Sequence, residues 1–270
     1  MKLSANEKKR LLTKYGPWAL ITGASSGIGL ELAEQLAQAG FNLVINARNA
    51  AVLTQIETRL KGQYKIDIKT LAADVSAPGA IEQIQQATAN LQVNLLVVSA
   101  GFGTSGLFIK SELQQEINML RVNCEALLGL THYYGQKFAK QKRGGIILMS
   151  SMVAFQGVPF AANYAATKAY VQTLAEALAV ELKANNVDVL AAAPGPVESG
   201  FGARSNMSMN MALKPADVGA PILMALGRQT TVLPGLLTKV LVYALRTVPR
   251  WAKIKIMENV MAGFTKHHAQ

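Results

Sequence analysis

The stretch "WALITGASSGIG", residues 18–29, decides the fold. A run of strand composition leads into a glycine-rich turn, and the apolar residues that follow recur at helical spacing. Gly23 permits a tight turn, Gly27 lets a pyrophosphate approach the backbone, and Gly29 lets the helix pack on the strand. The N-terminus of that helix then faces the phosphates. The pattern therefore predicts the first βαβ unit of a dinucleotide-binding fold.

The same alternation of strand-length apolar runs and helical patterns continues along the chain. Further strands are predicted at 41–46, 65–73, 93–100, 145–150 and 187–193, and helices at about 50–61, 79–91, 116–141 and 162–184. Six strands separated by helices indicate an α/β fold with a doubly wound parallel sheet, because parallel neighbours need crossover helices. No repeat or linker interrupts the pattern, so residues 1–270 are predicted to form a single Rossmann-type domain.

The composition limits the classes of function. The 270 residues carry a net charge of +11 and contain one cysteine, Cys124, which excludes an intramolecular disulfide and fits a reducing, cytoplasmic environment. The charged N-terminal segment lacks the apolar core of a signal peptide, so no cleavable signal is predicted. The positive charge favours phosphate ligands, in a cofactor, nucleic acid or anionic lipid. The sequence has neither aromatic-interleaved basic repeats nor zinc-type Cys/His spacings, so neither a nucleic-acid partner nor a metal site is predicted.

The end of the second predicted strand indicates which cofactor is bound. No acid that could meet a free ribose diol occurs between Asn42 and Asn49, whereas Arg48 stands where a 2′-phosphate would be met. We therefore predict NADP(H) rather than NAD(H), with a solvated loop arginine as the alternative. Asp74, just past the third strand, is placed either to accept a hydrogen bond from the adenine amine or to cap the helix that follows.

Six motifs, taken in order, resemble the classical short-chain dehydrogenase/reductase family from residue 18 to about 200. They are "TGASSGIG" (22–29), "SAG" (99–101), "VN" (122–123), "SS" (150–151), "YAATK" (164–168) and "PGPV" (194–197). The resemblance implies an oxidoreductase with a sheet of about seven strands, the last near 230–235, and a homo-oligomer. It also implies a cofactor site formed by Gly23, Ser25, Ser26, Gly27, Ile28, Gly29, Arg48, Asp74, Val75, Ser99, Ala100, Gly101, Tyr164, Lys168, Pro194, Gly195 and Val197. Ser99 departs from the family's asparagine, and we expect only a local change there.

Four residues form the predicted catalytic group: Asn123, Ser151, Tyr164 and Lys168. Carbonyl reduction needs a proton at the oxygen, and a free tyrosine, with a pKa of about 10, is a reluctant donor at neutral pH. Lys168, one helical turn after Tyr164, places a cation beside the phenol, and Ser151 can polarise the carbonyl. By resemblance, Lys168 also holds the nicotinamide ribose, and Asn123 anchors a water in the proton relay. Ser151 lies thirteen residues before Tyr164, which is the usual interval of the family it resembles, and this interval selects Ser151 over Ser150.

Residues 198–214 stand at the family's substrate-loop position. The side chains expected to give an apolar substrate wall are Met207, Met209, Met211, Phe102, Met152 and Phe155. A mobile loop with scattered methionines is the alternative for the first three.

The tail, about 236–270, mixes apolar and basic residues and is predicted to be a helical extension. Such a segment can lie on a membrane, cover the substrate pocket, or pack on the core or a partner subunit. Together with the N-terminal motif, it resembles the family branch of 3-ketoacyl-CoA reductases and 17β-hydroxysteroid dehydrogenases. We therefore predict an NADPH-dependent reductase of a lipophilic ketone, such as a 3-oxoacyl thioester. A non-catalytic NADP(H)-binding module and a peripheral membrane protein are the alternatives.

Overall fold

The computed structural model describes residues 2–205 and 212–264. Its strands are β1 (Trp18–Thr22), β2 (Asn42–Ala47), β3 (Ile68–Ala72), β4 (Val93–Val98), β5 (Gly144–Met149), β6 (Val187–Ala192) and β7 (Thr231–Val232). They form one parallel sheet in the order β3-β2-β1-β4-β5-β6-β7. The order reverses between β1 and β4, which is where doubly wound sheets bind ligands.

Helices cover both faces of the sheet. They are α1 (Ala5–Tyr15), α2 (Gly27–Gln38), α3 (Ala50–Gln63), α4 (Ala80–Ala87), α5 (Leu113–Leu120), α6 (Leu127–Gln141), α7 (Ala162–Glu181), α8 (Phe201–Arg204), α9 (Pro215–Ala225), α10 (Leu236–Arg246) and α11 (Arg250–Phe264). One hydrophobic cluster joins α1, α2, α3 and α9 to one face, and a second joins α4, α6 and α7 to the other. The central strands are buried on both sides, which explains their near-continuous apolar sequences.

The six strands predicted from the sequence are confirmed, and so is the short seventh one. The predicted helix at 79–91 is shorter than expected, since α4 ends at Ala87. The predicted helix at 116–141 begins earlier, at Leu113, and is interrupted by a π-helical segment, Arg121–Ala126. Such π-turns are frequent at functional sites.

Helix α1 was not predicted. Ser4 caps it by accepting a hydrogen bond from the Glu7 amide at 3.3 Å, and Arg10 donates to the carbonyls of Leu223 and Leu226 near the end of α9. The signal was present in the sequence, because Ser followed three residues later by Glu is a capping-box pattern. The helix therefore extends the core beyond the strand with which the dinucleotide-binding motif begins.

The helical extension predicted at 236–270 is confirmed as far as residue 264, where the description of the chain ends. In the parts of the chain that the structure describes, no helix combines the length and the apolar character needed to cross a membrane. Helices α10 and α11 instead fold over the carboxyl ends of the strands, where the loops of the sheet converge.

Candidate active site

The carboxyl edge of the sheet opens into a cavity of about 900 Å³. The loops after β1 to β6 form most of its wall, and α10 and α11 complete it. Every residue predicted to bind the cofactor lies in this wall, from the glycine-rich turn at 23–29 to the distant segment at 194–197. Of the four predicted catalytic residues, Ser151, Tyr164 and Lys168 line the cavity, whereas Asn123 lies behind its wall.

The turn between β1 and α2 adopts a backbone that glycine tolerates best. Gly23 and Gly27 have φ values of +68° and +59°. A β-carbon at Gly23 would lie 2.7 Å from the backbone nitrogen of Ala100, so this position has no room for a side chain. Ser26, the N-cap of α2, makes no side-chain hydrogen bond to the helix. The first-turn amides of α2 are therefore left for a ligand at the cavity wall.

Ser151, Tyr164 and Lys168 meet where β5 ends against the first turns of α7. The Ser151 side chain lies near the Tyr164 hydroxyl and influences its acidity, and Lys168 Nζ lies 5.8 Å from the centre of the Tyr164 ring. Lys168 Nζ also donates to the Met149 carbonyl at 2.8 Å. The Ser150 hydroxyl donates to the backbone carbonyl of Lys168 at 3.1 Å. Ser151, rather than Ser150, thus reaches the tyrosine.

Burial changes the acidity of both ionisable groups of this trio. It raises the pKa of Tyr164 to about 12, and the nearby Ser151 side chain opposes that rise. It lowers the pKa of Lys168 to about 8, an effect that the nearby Cys124 thiol opposes. At neutral pH the tyrosine therefore keeps its proton while the lysine is mostly charged. This protonation state suits a proton donor with an adjacent cation.

Asn123 lies in the π-helical segment and is 1% exposed. Its amide oxygen accepts from the Phe102 amide at 3.1 Å, and its amide nitrogen donates to the Phe102 carbonyl and to Thr167 Oγ1. A β-carbon at Gly101 would lie 3.1 Å from Asn123 Oδ1 and 3.4 Å from Lys168 Nζ, so both side chains converge on this glycine. Asn123 thus ties the loop after β4 to α7, and its role as a water anchor stays a prediction.

Arg48 and Asp74 stand together at the ends of β2 and β3. Burial raises the pKa of Asp74, but hydrogen bonds from Ser76 and the charge of Arg48 outweigh it, so the net pKa lies below its usual value. The carboxylate accepts from the Ser76 amide at 3.0 Å and from its hydroxyl at 2.7 Å. Asp74 therefore closes the turn at 74–76, whereas Gly79 is the N-cap of α4. Both Arg48 and Asp74 remain in the cavity wall.

The backbone at Ser99, where the sequence departs from the family's asparagine, is held by Thr22, a residue to which the sequence analysis gave no role. Thr22, at the end of β1, accepts hydrogen bonds at 3.2 Å from the backbone amides of both Ser99 and Ala100. The hydroxyl of Thr22 thereby joins the carboxyl ends of two central strands. The local change expected at Ser99 leaves the junction of β1 and β4 in place.

Glu116 is a second residue that sequence reasoning missed. It is 5% exposed, and its carboxylate accepts from Thr104 Oγ1 at 2.8 Å and from Asn163 Nδ2 at 2.7 Å. It therefore connects α5, the loop after β4, and the residue directly before Tyr164. No sequence signal could have found it, because its partners lie 12 and 47 positions away.

The predicted apolar wall is partly present. Phe102 and Met152 line the cavity, but Phe155 was assigned wrongly, since it packs beside the buried cluster of Ala193, Leu233 and Val242. Met207, Met209 and Met211 lie outside the described residues.

The tail supplies most of the remaining apolar wall. Six of its side chains in the cavity wall are Leu237, Leu241, Ile256, Met257, Val260 and Met261. Of the positions considered for the tail, on a membrane, over the substrate pocket or against the core or a partner, the structure agrees with the one over the pocket.

Known proteins resemble this chain in sequence and in fold. The family model described as short chain dehydrogenase matches residues 17–210. A 7beta-hydroxysteroid dehydrogenase of Mediterraneibacter gnavus is 35% identical over 179 residues, which cover 66% of this chain and 68% of that protein. A very-long-chain 3-oxoacyl-CoA reductase of Meyerozyma guilliermondii is 35% identical over 187 residues, covering 65% of this chain and 55% of the reductase.

A solved structure shows the same architecture. The short-chain dehydrogenase from Sphingobium yanoikuyae in complex with NADPH superposes with a TM-score of 0.80 at 26% identity, covering 90% of this chain and 95% of that one. Together with the converging Ser151, Tyr164 and Lys168, these matches establish the class of the protein. The chain belongs to the short-chain dehydrogenase family and is an NAD(P)-dependent oxidoreductase that interconverts a carbonyl and an alcohol.

Proposed function

We propose that this protein reduces the carbonyl group of lipophilic ketones with NADPH and that Tyr164 is the proton donor. One observation carries the proposal: a single cavity holds both the glycine-rich turn at 23–29 and the trio of Ser151, Tyr164 and Lys168. A module that only binds a dinucleotide has no use for a tyrosine that shares the cavity with a neighbouring serine and lysine.

The cavity fits NADP(H) on three counts. Gly23 and Gly27 keep side chains away from the start of α2, where the helix amides would meet the pyrophosphate. Arg48 would meet the 2′-phosphate at the end of β2, and Asp74 lines the wall beside it. The segment at 194–197 and Lys168 would hold the nicotinamide end. When bound, NADPH supplies the hydride that adds to the carbonyl carbon.

The residues of the chain complete the reduction. The Ser151 hydroxyl donates a hydrogen bond to the carbonyl oxygen and stabilises the negative charge that develops there. Tyr164 then transfers its proton to that oxygen. The Lys168 ammonium, close to the ring, stabilises the phenolate left behind. Asn123 fixes the loop at 101–102 against α7, the helix that carries both Tyr164 and Lys168.

The substrate class follows from the wall. Phe102, Met152 and the tail residues give the cavity an apolar wall, and Tyr164 packs against the cluster that contains Met257 and Met261 of the tail. The relatives named above act on hydroxysteroids and very-long-chain 3-oxoacyl thioesters, which are both lipophilic. The decisive experiment measures NADPH oxidation with steroid ketones, long-chain 3-oxoacyl thioesters and short aliphatic ketones. Tight NADPH binding without turnover of any of them would contradict the proposal.

The cofactor choice gives the first prediction. We expect Arg48→Ala to weaken NADPH by about tenfold to hundredfold, which corresponds to losing charge-assisted hydrogen bonds, and to leave NADH nearly unaffected. Arg59→Ala, on α3 and outside the cavity wall, is the matched control. The ratio of kcat/KM values for the two cofactors measures the effect, and an unchanged ratio would refute the assignment to Arg48.

Glu116 gives a second prediction. Glu116→Met removes both acceptor oxygens and leaves the donors of Thr104 and Asn163 without this partner, so the first turn of α7 should shift and kcat should fall by about tenfold or more. NADPH affinity should stay the same, because Glu116 lies outside the cavity wall. Glu112→Met, the same change at an exposed residue just before α5, should leave kcat unchanged. Equal loss of kcat and of NADPH affinity would indicate general destabilisation instead.

The organisation of the chain belongs to the same proposal. Residues 1–270 act as one domain, because α10 and α11 pack over the cavity of the sheet. The protein works on a small molecule as a cytoplasmic homo-oligomer, supported by exposed apolar side chains on neighbouring helices, Leu113, Leu120 and Leu128. Sedimentation velocity tests that state. Peripheral contact with a membrane is supported by the exposed apolar and basic residues of α10 and α11.

A further inference from the structure

Helices α10 and α11 have an inward side that is well packed. Thr238 and Val242 of α10 and Met257 and Met261 of α11 are each 4–5% exposed. Thr238 touches the segment at 194–197, since a β-carbon at Gly195 would lie 2.6 Å from its hydroxyl oxygen. These contacts fix the two helices over the cavity.

Four apolar side chains of the same helices line the cavity and are also exposed to solvent. Leu237 is 52% exposed, Leu241 41%, Ile256 41% and Val260 42%. We call these four side chains the rim of the cavity, because they line it and are also accessible to solvent. We infer that the cavity opens at α10 and α11, where its apolar lining continues into the exposed apolar side chains of the same helices.

The surface around this rim is apolar and basic. We define the outer face as Leu236, Val240, Tyr243 and Trp251, which are 54–79% exposed and do not line the cavity. The segment 236–264 contains five Lys and Arg residues and one acid, Glu258. Large apolar side chains with Trp and Tyr among cations are the composition of surfaces that lie in the headgroup layer of a bilayer.

The charge decides between occupants of the outer face. A second copy docked through this face would bring its five Lys and Arg residues of 236–264 against the same five of the first copy. An anionic bilayer offers the opposite charge, with about 1 kcal/mol for each Lys or Arg near the surface. It also accepts the exposed apolar side chains, which water does not.

We propose that the outer face docks on an anionic lipid bilayer, so that the opening of the cavity meets the hydrocarbon layer and the ketone enters from the membrane. The identity of the substrate rests on the proposed function, whereas the docking does not. The inference explains why the described parts of the chain, residues 2–205 and 212–264, leave these apolar side chains exposed.

The test compares the full-length protein with the double variant V240D/W251D. Wild type should co-sediment with vesicles of phosphatidylcholine and phosphatidylglycerol but not of phosphatidylcholine alone. Raising the salt from about 0.1 M to about 1 M, which shortens the Debye length from about 10 Å to about 3 Å, should release it. The double variant should bind about tenfold more weakly or worse. Val180→Asp, at the end of α7 on an equally exposed apolar residue, is the control.

The second part of the test compares the ketone reductase activities of the wild type and the double variant. The double variant should reduce a short, water-soluble ketone at the wild-type rate but lose reduction of a long-chain ketone supplied in anionic vesicles. Wild type that stays in the supernatant with anionic vesicles would overturn the inference and leave the proposed function standing. A change of oligomeric state in the double variant would identify the face as a subunit contact and overturn it as well. Vesicle binding with no ketone reduced anywhere would instead count against the proposed function alone.

Discussion

Tyr164→Phe is expected to abolish turnover, with kcat falling by about 10²–10⁴-fold, the range for removing a general acid. Phenylalanine fills the same space in α7 but has no proton to give. NADPH affinity should stay nearly intact, because the glycine-rich turn and Arg48 do not depend on the hydroxyl. Steady-state NADPH oxidation and a fluorescence titration of NADPH measure the two effects separately.

The control is Tyr170→Phe on the same helix. Tyr170 is 39% exposed and lies outside the cavity wall, so its hydroxyl should not affect kcat.

The two directions of the reaction should depend differently on pH. Since burial raises the pKa of Tyr164 to about 12, reduction should persist at neutral pH, whereas alcohol oxidation, which needs the phenolate, should rise with pH. Wild-type kcat in Tyr164→Phe would remove this residue from the mechanism.

Lys168→Met is expected to lower kcat by about 10²-fold or more, because the phenolate of Tyr164 loses its neighbouring cation. Unlike Tyr164→Phe, it should also weaken NADPH, since Lys168 is proposed to hold the nicotinamide ribose. Methionine keeps the length and the apolar stem of the side chain. Lys183→Met, an exposed change just beyond α7, is the matched control. Normal NADPH affinity in Lys168→Met would contradict the second role.

The same variant should be more stable than wild type at neutral pH. Burial lowers the pKa of Lys168 from 10.5 to about 8, so at pH 7 the folded protein holds a charge in a site that disfavours it. Between pH 8 and 10.5 the folded state loses this proton before the unfolded chain does, and the cost disappears. The Tm gain of Lys168→Met should therefore shrink as pH rises.

Thermal unfolding at pH 7 and pH 10 measures this difference. The lost hydrogen bond to the Met149 carbonyl subtracts from the gain at every pH, so the pH dependence is the diagnostic quantity. A Tm difference that does not change with pH would show that Lys168 carries no burial cost. A gain in stability with a loss of activity would also exclude misfolding as the cause of the kinetic defect.

The glycine-rich turn was readable from sequence because its requirement is local. Gly23 and Gly27 need positive φ, and the strand and helix around them follow from spacing within a dozen residues. The pair of Tyr164 and Lys168 is also local, since four residues make one helical turn. Ser151 was assignable from its interval to Tyr164. These predictions needed no knowledge of which loops meet.

The contacts that sequence reasoning missed are those between distant segments. Thr22 accepts hydrogen bonds from residues 77 and 78 positions away, and Glu116 joins Asn163 across 47 positions. A threonine in a strand or a glutamate in a helix can have many roles when only its place in the sequence is known. Only the packing of β1 beside β4, and of α5 beside α7, gives these two residues their partners.

The sequence by itself determined the fold class and predicted the cofactor turn and the catalytic group, because these rest on local spacing and on motifs that resemble a known family. The tail was left open between membrane, pocket and core, since an apolar and basic helix suits all three. The tertiary structure decided that α10 and α11 cover the cavity, with Met257 and Met261 buried beneath and Leu241 and Val260 at the rim. Which side of an amphipathic helix is inward depends on the surface it meets, and only the folded sheet supplies that surface.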